Sequence, residues 1–163
     1  MESGLGARNR MESVWDYPRP PRLEATERHI VIRHAGLIIA DSRRALRLLE
    51  TSHPPSYYLP PDDVDDTLLV RAPGSSFCEW KGLAGYWDVV VESERLAKVA
   101  WSYPDPVEAY AGLRDHFAFY AGPFDECTVD GEKVIPQPGG FYGGWITSDL
   151  AGPFKGAPGS GGW

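Results

Sequence analysis

The feature that most constrains this fold is a run of aromatic and β-branched residues between Phe77 and Tyr103. Three segments rich in Val, Trp, Tyr and Phe alternate with two turn-like groups, Gly82–Gly85 and Glu92–Arg95. This spacing is typical of three antiparallel strands joined by tight hairpins, because β-branched and aromatic side chains favour strands whereas Gly favours turns. The run therefore predicts an antiparallel meander at the centre of a mainly β fold.

The loop positions predict which residues of the meander face one another. Symmetric closure of the first loop puts Glu79 opposite Asp88. The same closure puts Lys81 opposite Tyr86, and closure of the second loop puts Tyr86 opposite Trp101.

Alternation of side chains then sorts the meander into two faces. The predicted core face carries one charge among apolar residues: Cys78, Trp80, Trp87, Val89, Val91, Leu96, Lys98 and Ala100. The second face sets three charges among aromatic and aliphatic residues: Phe77, Glu79, Lys81, Tyr86, Asp88, Val90, Val99, Trp101 and Tyr103.

The three charges of the second face form the candidate site. Opposed carboxylates destabilise a sheet unless a cation, a shared proton or a ligand relieves them, and Lys81 could supply that relief for Glu79. Charged groups in aromatic surroundings are typical of small-molecule sites. A half-solvated sheet face with an ordinary ion pair is the alternative. The predicted ligand-binding residues are Glu79, Trp80, Lys81, Tyr86, Trp87, Asp88, Trp101 and Tyr103.

Composition limits the classes of partner. A chain of 163 residues with 42% hydrophobic residues suits a single domain with a sizeable core. The net charge of −7, without a dense basic stripe, argues against nucleic acid and anionic membranes as partners. Neither a membrane-length apolar run nor a signal-peptide core is present, so we expect a cytoplasmic protein.

The cysteines and histidines do not predict a metal site. Cys78 and Cys127 form no C-x-x-C motif, and the four histidines show no ligand spacing. We therefore expect two reduced thiols, no metal and no cofactor.

Changes in composition divide the chain. Residues 1–12 are expected to be a mobile tail, and residues 13–135 a single β-rich domain that begins with a Pro-rich arm at 13–26. Residues 136–163 are rich in Gly and Pro but carry spaced aromatics, which predicts an ordered extended arm on the body or on a neighbouring subunit. A homodimer through the arms is therefore a possible assembly. Two short helices are also expected, over 43–52 and 107–116.

Several motifs, taken together, resemble a known family. They are SVWDYPRPPRLE, LETSHPPSYYLPPDDV, FCEWKG, YWDVVV, AWSYPDP, HFAFY and YGGWITSDLAGPFKG. In this order they resemble the domain-of-unknown-function family numbered four hundred and twenty-seven, over nearly the whole chain beyond about Glu12. That family is also catalogued as a nucleotidyltransferase domain.

The resemblance implies a small bacterial protein whose fold is similar to the β-tent. In that fold, two small antiparallel sheets are pinned at one end, and the cleft between them holds a small ligand in an aromatic cage. Several β-tent proteins carry a cysteine-liganded zinc, but this chain lacks paired cysteines, so zinc is not carried over. Nucleotidyl transfer would need carboxylates for Mg²⁺, and Glu79 and Asp88 could supply them. The usual Gly-Ser and paired aspartates of such enzymes are missing.

Three functional hypotheses follow. The first is a small-molecule-binding module that uses the aromatic cleft and the Glu79, Lys81 and Asp88 cluster. The second is an enzyme on the same pocket, with Glu79 or Asp88 as general base, Lys81 as electrostatic stabiliser and His116 as a spare acid–base group. The third is a non-catalytic protein that acts as a subunit interface through its arms.

Overall fold

The computed structural model describes residues 11–78 and 80–163, and the fold is mainly β, as predicted. The strands are β1 (Glu12–Ser13), β2 (Arg22–Ala25), β3 (Ile30–His34), β4 (Leu37–Ser42), β5 (Leu46–Leu49), β6 (Ser56–Tyr58), β7 (Leu69–Cys78), β8 (Gly82–Val91), β9 (Glu94–Ser102), β10 (Phe117–Phe119), β11 (Glu126–Val129), β12 (Glu132–Lys133), β13 (Ile135–Pro136), β14 (Trp145–Ile146) and β15 (Leu150–Ala151). Short 3-10 helices span Val14–Asp16, Pro61–Asp63, Asp66–Leu68 and Glu108–Leu113.

The strands assemble into more sheets than the two that were expected. Two sheets have four strands, in the orders β10-β9-β8-β7 and β12-β11-β3-β4, and a third has the order β2-β5-β6. The pairs β13–β14 and β1–β15 complete the arrangement, and β1–β15 is parallel. The predicted meander is confirmed as the antiparallel strands β7, β8 and β9.

Two hydrophobic clusters lie on opposite faces of the β7–β10 sheet. The larger cluster joins it to the other four-stranded sheet, with Ile30 and Ile32 beside Val89 and Ala100. The second cluster joins it to the three-stranded sheet through Tyr58, Trp101, Tyr103, Tyr110 and Leu113, among others. Both faces of the meander are therefore covered by protein.

The prediction of a helix over 43–52 was wrong, since this segment contains β5, which pairs with β2 on one side and β6 on the other. Leu46 and Leu48 pack in the second cluster, whereas Leu49 packs in a third cluster with Val14. Burial of alternate residues on two sides stabilises a strand here, although Ala, Leu and Arg favour helices in isolation. The helix predicted over 107–116 is a shorter 3-10 helix.

The C-terminal arm packs on the body of its own chain. Trp145 in β14 is buried, and its indole N–H donates to the Phe119 carbonyl at 2.9 Å. Beyond it, β15 pairs with β1. The homodimer stays a prediction, and the expected mobile tail lies outside the described residues except for Met11 and Glu12. Among the described residues, no helix has the length and apolar character needed to cross a membrane.

A buried arginine ties the N-terminal strand to the three-stranded sheet. Arg47 in β5 is buried and donates to Glu12 at 3.1 Å and to Glu24 at 2.6 Å. Tyr17 also donates a short hydrogen bond to Glu12. Burial raises the pKa of Glu12, but these hydrogen bonds outweigh it and leave the pKa below its usual value. Glu12 is therefore a carboxylate that the fold stabilises.

We expect Glu12→Gln to lower the free energy of unfolding by about 1 kcal/mol at pH 7, because it removes a charge-assisted contact of Arg47. Since the folded pKa is depressed, this stabilisation is present above the unfolded value of about 4.5 and is lost as the pH falls further. Urea unfolding from pH 7 to pH 3 measures it. The variant and the wild type should converge at the acid end, and Glu27→Gln, at an exposed position, serves as the control. An equal offset at every pH would contradict the assignment.

Candidate functional site

The turn between β7 and β8 falls where the sequence predicted a strand. Cys78 pairs with Gly82, so the turn contains Trp80 and Lys81 rather than Gly82–Gly85. The predicted register was therefore wrong: Asp88 pairs with Val70, and Lys81 lies in the turn instead of opposite Tyr86. Glu79 lies outside the described residues. The pairing of Tyr86 with Trp101 is confirmed.

Asp88 closes a β-bulge rather than joining Lys81. The register between β8 and β9 shifts after Trp87, and Lys98 in the shifted stretch has a φ of 52°. The Asp88 carboxylate accepts the Lys98 backbone N–H at 2.8 Å and the Arg95 Nε at 2.7 Å. These two bonds lower the pKa of Asp88. Asp88 is bound to Arg95 and Lys98 within the bulge, so it does not join Lys81 as the sequence predicted.

A cavity of about 550 Å³ lies on the side of the sheet that the second cluster covers. Its walls come from the end of the β7–β8 hairpin, from β6 and β9, and from the C-terminal arm. The aromatic residues lining it are Tyr58, Phe77, Trp80, Tyr86, Trp101, Tyr103, Tyr120, Phe141, Tyr142 and Trp163. A partly open cavity of this size with aromatic walls can accommodate a small organic molecule.

The cavity brings together part of the predicted site. Five of the predicted ligand-binding residues line it: Trp80, Lys81, Tyr86, Trp101 and Tyr103. Trp87 does not, since its indole N–H donates to Ser102 at 2.9 Å and its ring packs against the larger core cluster. His116 also lies outside the lining, with Nδ1 at 3.1 Å from the Arg114 carbonyl.

Trp101 is at the centre of the aromatic wall. Its indole N–H donates to the Tyr58 hydroxyl at 3.1 Å, and its ring centroid lies 4.8 Å from that of Tyr120. Tyr58 in turn packs against Tyr103 with centroids 6.3 Å apart. Burial raises the pKa of Tyr120 to about 12, so its hydroxyl stays protonated at neutral pH. The wall is therefore polarised by hydroxyl groups but carries no charge of its own.

The C-terminal arm crosses this wall at a glycine. A Cβ added to Gly143 would lie 2.1 Å from Cη2 of Trp101, so only glycine permits the observed approach. The neighbouring Phe141 carbonyl accepts the Tyr120 hydroxyl at 3.0 Å. Gly143 is thus required by close contact with the cavity wall.

Lys81 is the charged group that the turn carries into the cavity. Its carbonyl accepts the Val107 N–H at 3.0 Å, which fixes the turn against the start of the 3-10 helix. Its ammonium lies 5.6 Å from the ring centroid of Tyr103, within range of a cation–π interaction. Burial alone would lower the pKa of Lys81, but Tyr58, Cys78 and Glu50 raise it above its usual value. Lys81 is therefore protonated at neutral pH.

The other lining cations are already engaged. Arg19 lies 3.7 Å from Glu50, and the Lys155 ammonium donates to the carbonyls of Ser160 and Gly161 at 2.9 and 3.2 Å. None of the ion pairs between residues 11–78 and 80–163 involves Lys81. It is thus the lining cation best able to receive an anionic group from a ligand.

His53 supplies a neutral imidazole to the same cavity. Its Nδ1 lies 2.9 Å from the Thr51 carbonyl, which can only accept, so Nδ1 carries the proton. Burial lowers the pKa of His53, although its hydrogen bond to Thr51 acts in the opposite direction. Nε2 therefore has a free lone pair at neutral pH, and no group in the described part of the chain bonds to it.

Sequence reasoning missed the residues that come from outside the meander, above all His53, Tyr58, Tyr120 and the arm. Tyr58 and Tyr120 were placed on short strands, but nothing local indicates that these strands face Trp101. The aromatics of the arm were a usable signal, because their regular spacing predicted an ordered segment. Within the described residues, no group of three or more His, Cys, Asp or Glu side chains is arranged to hold a metal ion.

Comparison with protein families gives a match to the Domain of unknown function (DUF427) over residues 22–130. The chain belongs to the DUF427 family. The matched region contains the meander and Lys81, whereas the arm residues that complete the cavity lie beyond it. A comparison with curated proteins gave no match. Membership of DUF427 assigns no activity, so function has to be argued from the cavity.

We expect Gly143→Ala to displace the arm from Trp101, because the added methyl group cannot fit at 2.1 Å. Such overpacking should lower the free energy of unfolding by about 1–3 kcal/mol and increase quenching of tryptophan fluorescence by acrylamide. Gly161→Ala is the matched control, since nothing lies within 4 Å of its added Cβ. Equal stability and quenching of the two variants would show that the arm does not cover the wall.

Proposed function

We propose that this DUF427 protein binds a small organic acid whose ring or apolar body packs against the aromatic wall of the cavity. The observation that carries the proposal is the Lys81 ammonium, held over Tyr103 in an aromatic cavity without a carboxylate partner among the described residues. A half-buried ammonium favours an anionic partner, because partial removal from water strengthens the attraction between opposite charges.

The aromatic walls support an apolar ligand body. Trp80, Trp101 and Tyr86 line the cavity around Lys81 and offer ring faces and edges for stacking. Aromatic contacts of this kind contribute about 0.5–1.5 kcal/mol each beyond burial of area. The sequence predicted a small polar or cationic ligand, oriented by Glu79, Lys81 and Asp88. Since Asp88 is bound to Arg95 and Lys98, the remaining charge favours an acid instead.

The test compares an acid with an amine of similar shape. We expect phenylacetate, but not phenylethylamine, to raise the melting temperature of the wild type. Lys81→Met should weaken phenylacetate binding by about tenfold or more, because a hydrogen bond to a charged group contributes about 1.5–3 kcal/mol. Lys81→Arg should retain most of the affinity, measured by titration calorimetry.

Lys133→Met is the control for this comparison, since Lys133 is exposed and does not line the cavity. It should bind phenylacetate as the wild type does. Equal binding of the acid and the amine, or wild-type affinity in Lys81→Met, would refute the proposed role of Lys81.

An enzyme on the same cavity is the second candidate, and His53 is the observation that favours it. Its free Nε2 can accept a proton from water, so a bound ester could be hydrolysed to the acid that Lys81 holds. Water adds to the carbonyl, the ester C–O bond breaks and the alcohol leaves with the proton. A nucleotide-related transferase has less support, because Asp88, expected to help hold its Mg²⁺, is engaged in the bulge.

The enzyme candidate predicts consumption of the ligand. Wild-type protein should hydrolyse phenyl phenylacetate, which yields phenylacetate and phenol, faster than buffer at pH 7, and His53→Gln should reduce that excess rate at least about a hundredfold. His116→Gln, outside the cavity, should leave the rate unchanged and serves as the matched control. Spectrophotometric detection of phenol measures the rate, and a rate independent of His53 would leave binding as the function.

A further inference from the structure

A second cavity adjoins the one that contains Lys81. It has a volume of about 700 Å³ and lies between β9, residues 120–123 and the arm. Its walls are mostly apolar, with Val99, Ala121 and Pro123 on the body and Pro136 and Pro138 on the arm. Lys98 is the one Lys, Arg, Asp, Glu or His side chain among the described residues that line it. Such a space favours an uncharged part of a ligand.

The two cavities share one wall. Six residues line both of them: Tyr86, Tyr120, Gln137, Phe141, Tyr142 and Gly143. Gln137 contributes no free polar group to either space, because its amide donates to the Lys155 carbonyl at 2.9 Å and accepts the Gly144 N–H at 3.0 Å. The shared wall is therefore largely aromatic on both sides.

Phe141 is the least packed part of the shared wall, with 68% of its surface exposed. Because this side chain has little packing to lose, it can be displaced at a small cost in free energy. Its backbone, in contrast, is held by the Tyr120 hydroxyl. A ligand can thus extend past the Phe141 ring while the arm stays in place on Trp101.

We infer that the two cavities form a single bipartite site for an amphiphilic acid, such as an arylalkanoic acid. The carboxylate lies at Lys81 and the apolar chain extends into the second cavity. This inference rests on the proposed function, since Lys81 fixes the acidic end. It adds that chain length selects the ligand, because each methylene that reaches the second cavity is removed from water.

The experiment measures affinity against chain length by titration calorimetry with phenylacetate, 4-phenylbutyrate and 6-phenylhexanoate. We expect affinity for the wild type to increase about two- to fourfold with each added methylene. Lys81→Met should weaken binding of all three acids by a similar factor, because the acidic end is common to them.

Two variants fill the second cavity and leave the first unchanged. A Cβ on Gly122 would meet only Pro136, at 3.9 Å, so Gly122→Leu can be accommodated. Ala97 lines only the second cavity, and Ala97→Trp can be accommodated because this position on β9 is exposed. Ala109→Trp, at an exposed position away from both cavities, is the matched control.

In Gly122→Leu and Ala97→Trp, affinity for 6-phenylhexanoate should fall to within about threefold of that for phenylacetate, whose affinity should not change. Phenylacetate binding that depends on Lys81, without any gain with chain length, would overturn the bipartite site and leave the proposed function intact. Failure of every acid to bind the wild type would overturn both. A chain-length gain that persists in both filled variants would place the apolar chain elsewhere and overturn the inference.

Discussion

The approach of Gly143 to Trp101 is the contact on which the cavity depends. It brings the C-terminal arm onto the face of the meander that the three-stranded sheet also covers, so three separate parts of the chain meet around one indole ring. The same ring donates to Tyr58 and packs against Tyr120, which fixes its orientation from both sides. The arm thus supplies one wall of the cavity, which would otherwise be an open sheet face.

The β7–β8 turn places the charged Lys81 side chain in this cavity. Trp80 and Lys81 lie in the turn beyond the paired strands, and the Lys81 carbonyl accepts the Val107 N–H at the start of the 3-10 helix. The Lys81 side chain therefore lies beside Tyr103, which belongs to the second cluster. Among the described residues that line the cavity, the one side-chain carboxylate, that of Glu50, pairs with Arg19, so the Lys81 ammonium is the group left to bind an anionic ligand.

The sequence predicted the mainly β fold and the meander, since alternating aromatic and β-branched residues determine strands locally. It did not predict the first turn, because Gly82 and Gly85 were interpreted as turn residues. Gly85 instead lies within β8, where an added Cβ would come within 3.1 Å of the Arg71 guanidinium. A glycine within a strand cannot be distinguished by sequence alone from one that a turn requires.

At the turn between β8 and β9, the loop was predicted incorrectly but the pairing of Tyr86 with Trp101 was predicted correctly. Val91 pairs with Glu94, which makes the loop two residues shorter than predicted, and the bulge opposite Asp88 restores the expected pairing of Tyr86 with Trp101. The aromatic half of the site was therefore predictable from alternation. The contributions of His53, Tyr58 and the arm were not, because they depend on contacts between segments far apart in the chain.

A crystal structure with 4-bromophenylacetate bound tests the central claim most directly, since anomalous scattering locates the bromine without ambiguity. The account predicts one bromine position against the rings of Trp80 and Trp101, with the carboxylate within hydrogen-bonding distance of Lys81 Nζ. Bromine found only on the outer surface, or a carboxylate turned away from Lys81 in an otherwise occupied cavity, would contradict it.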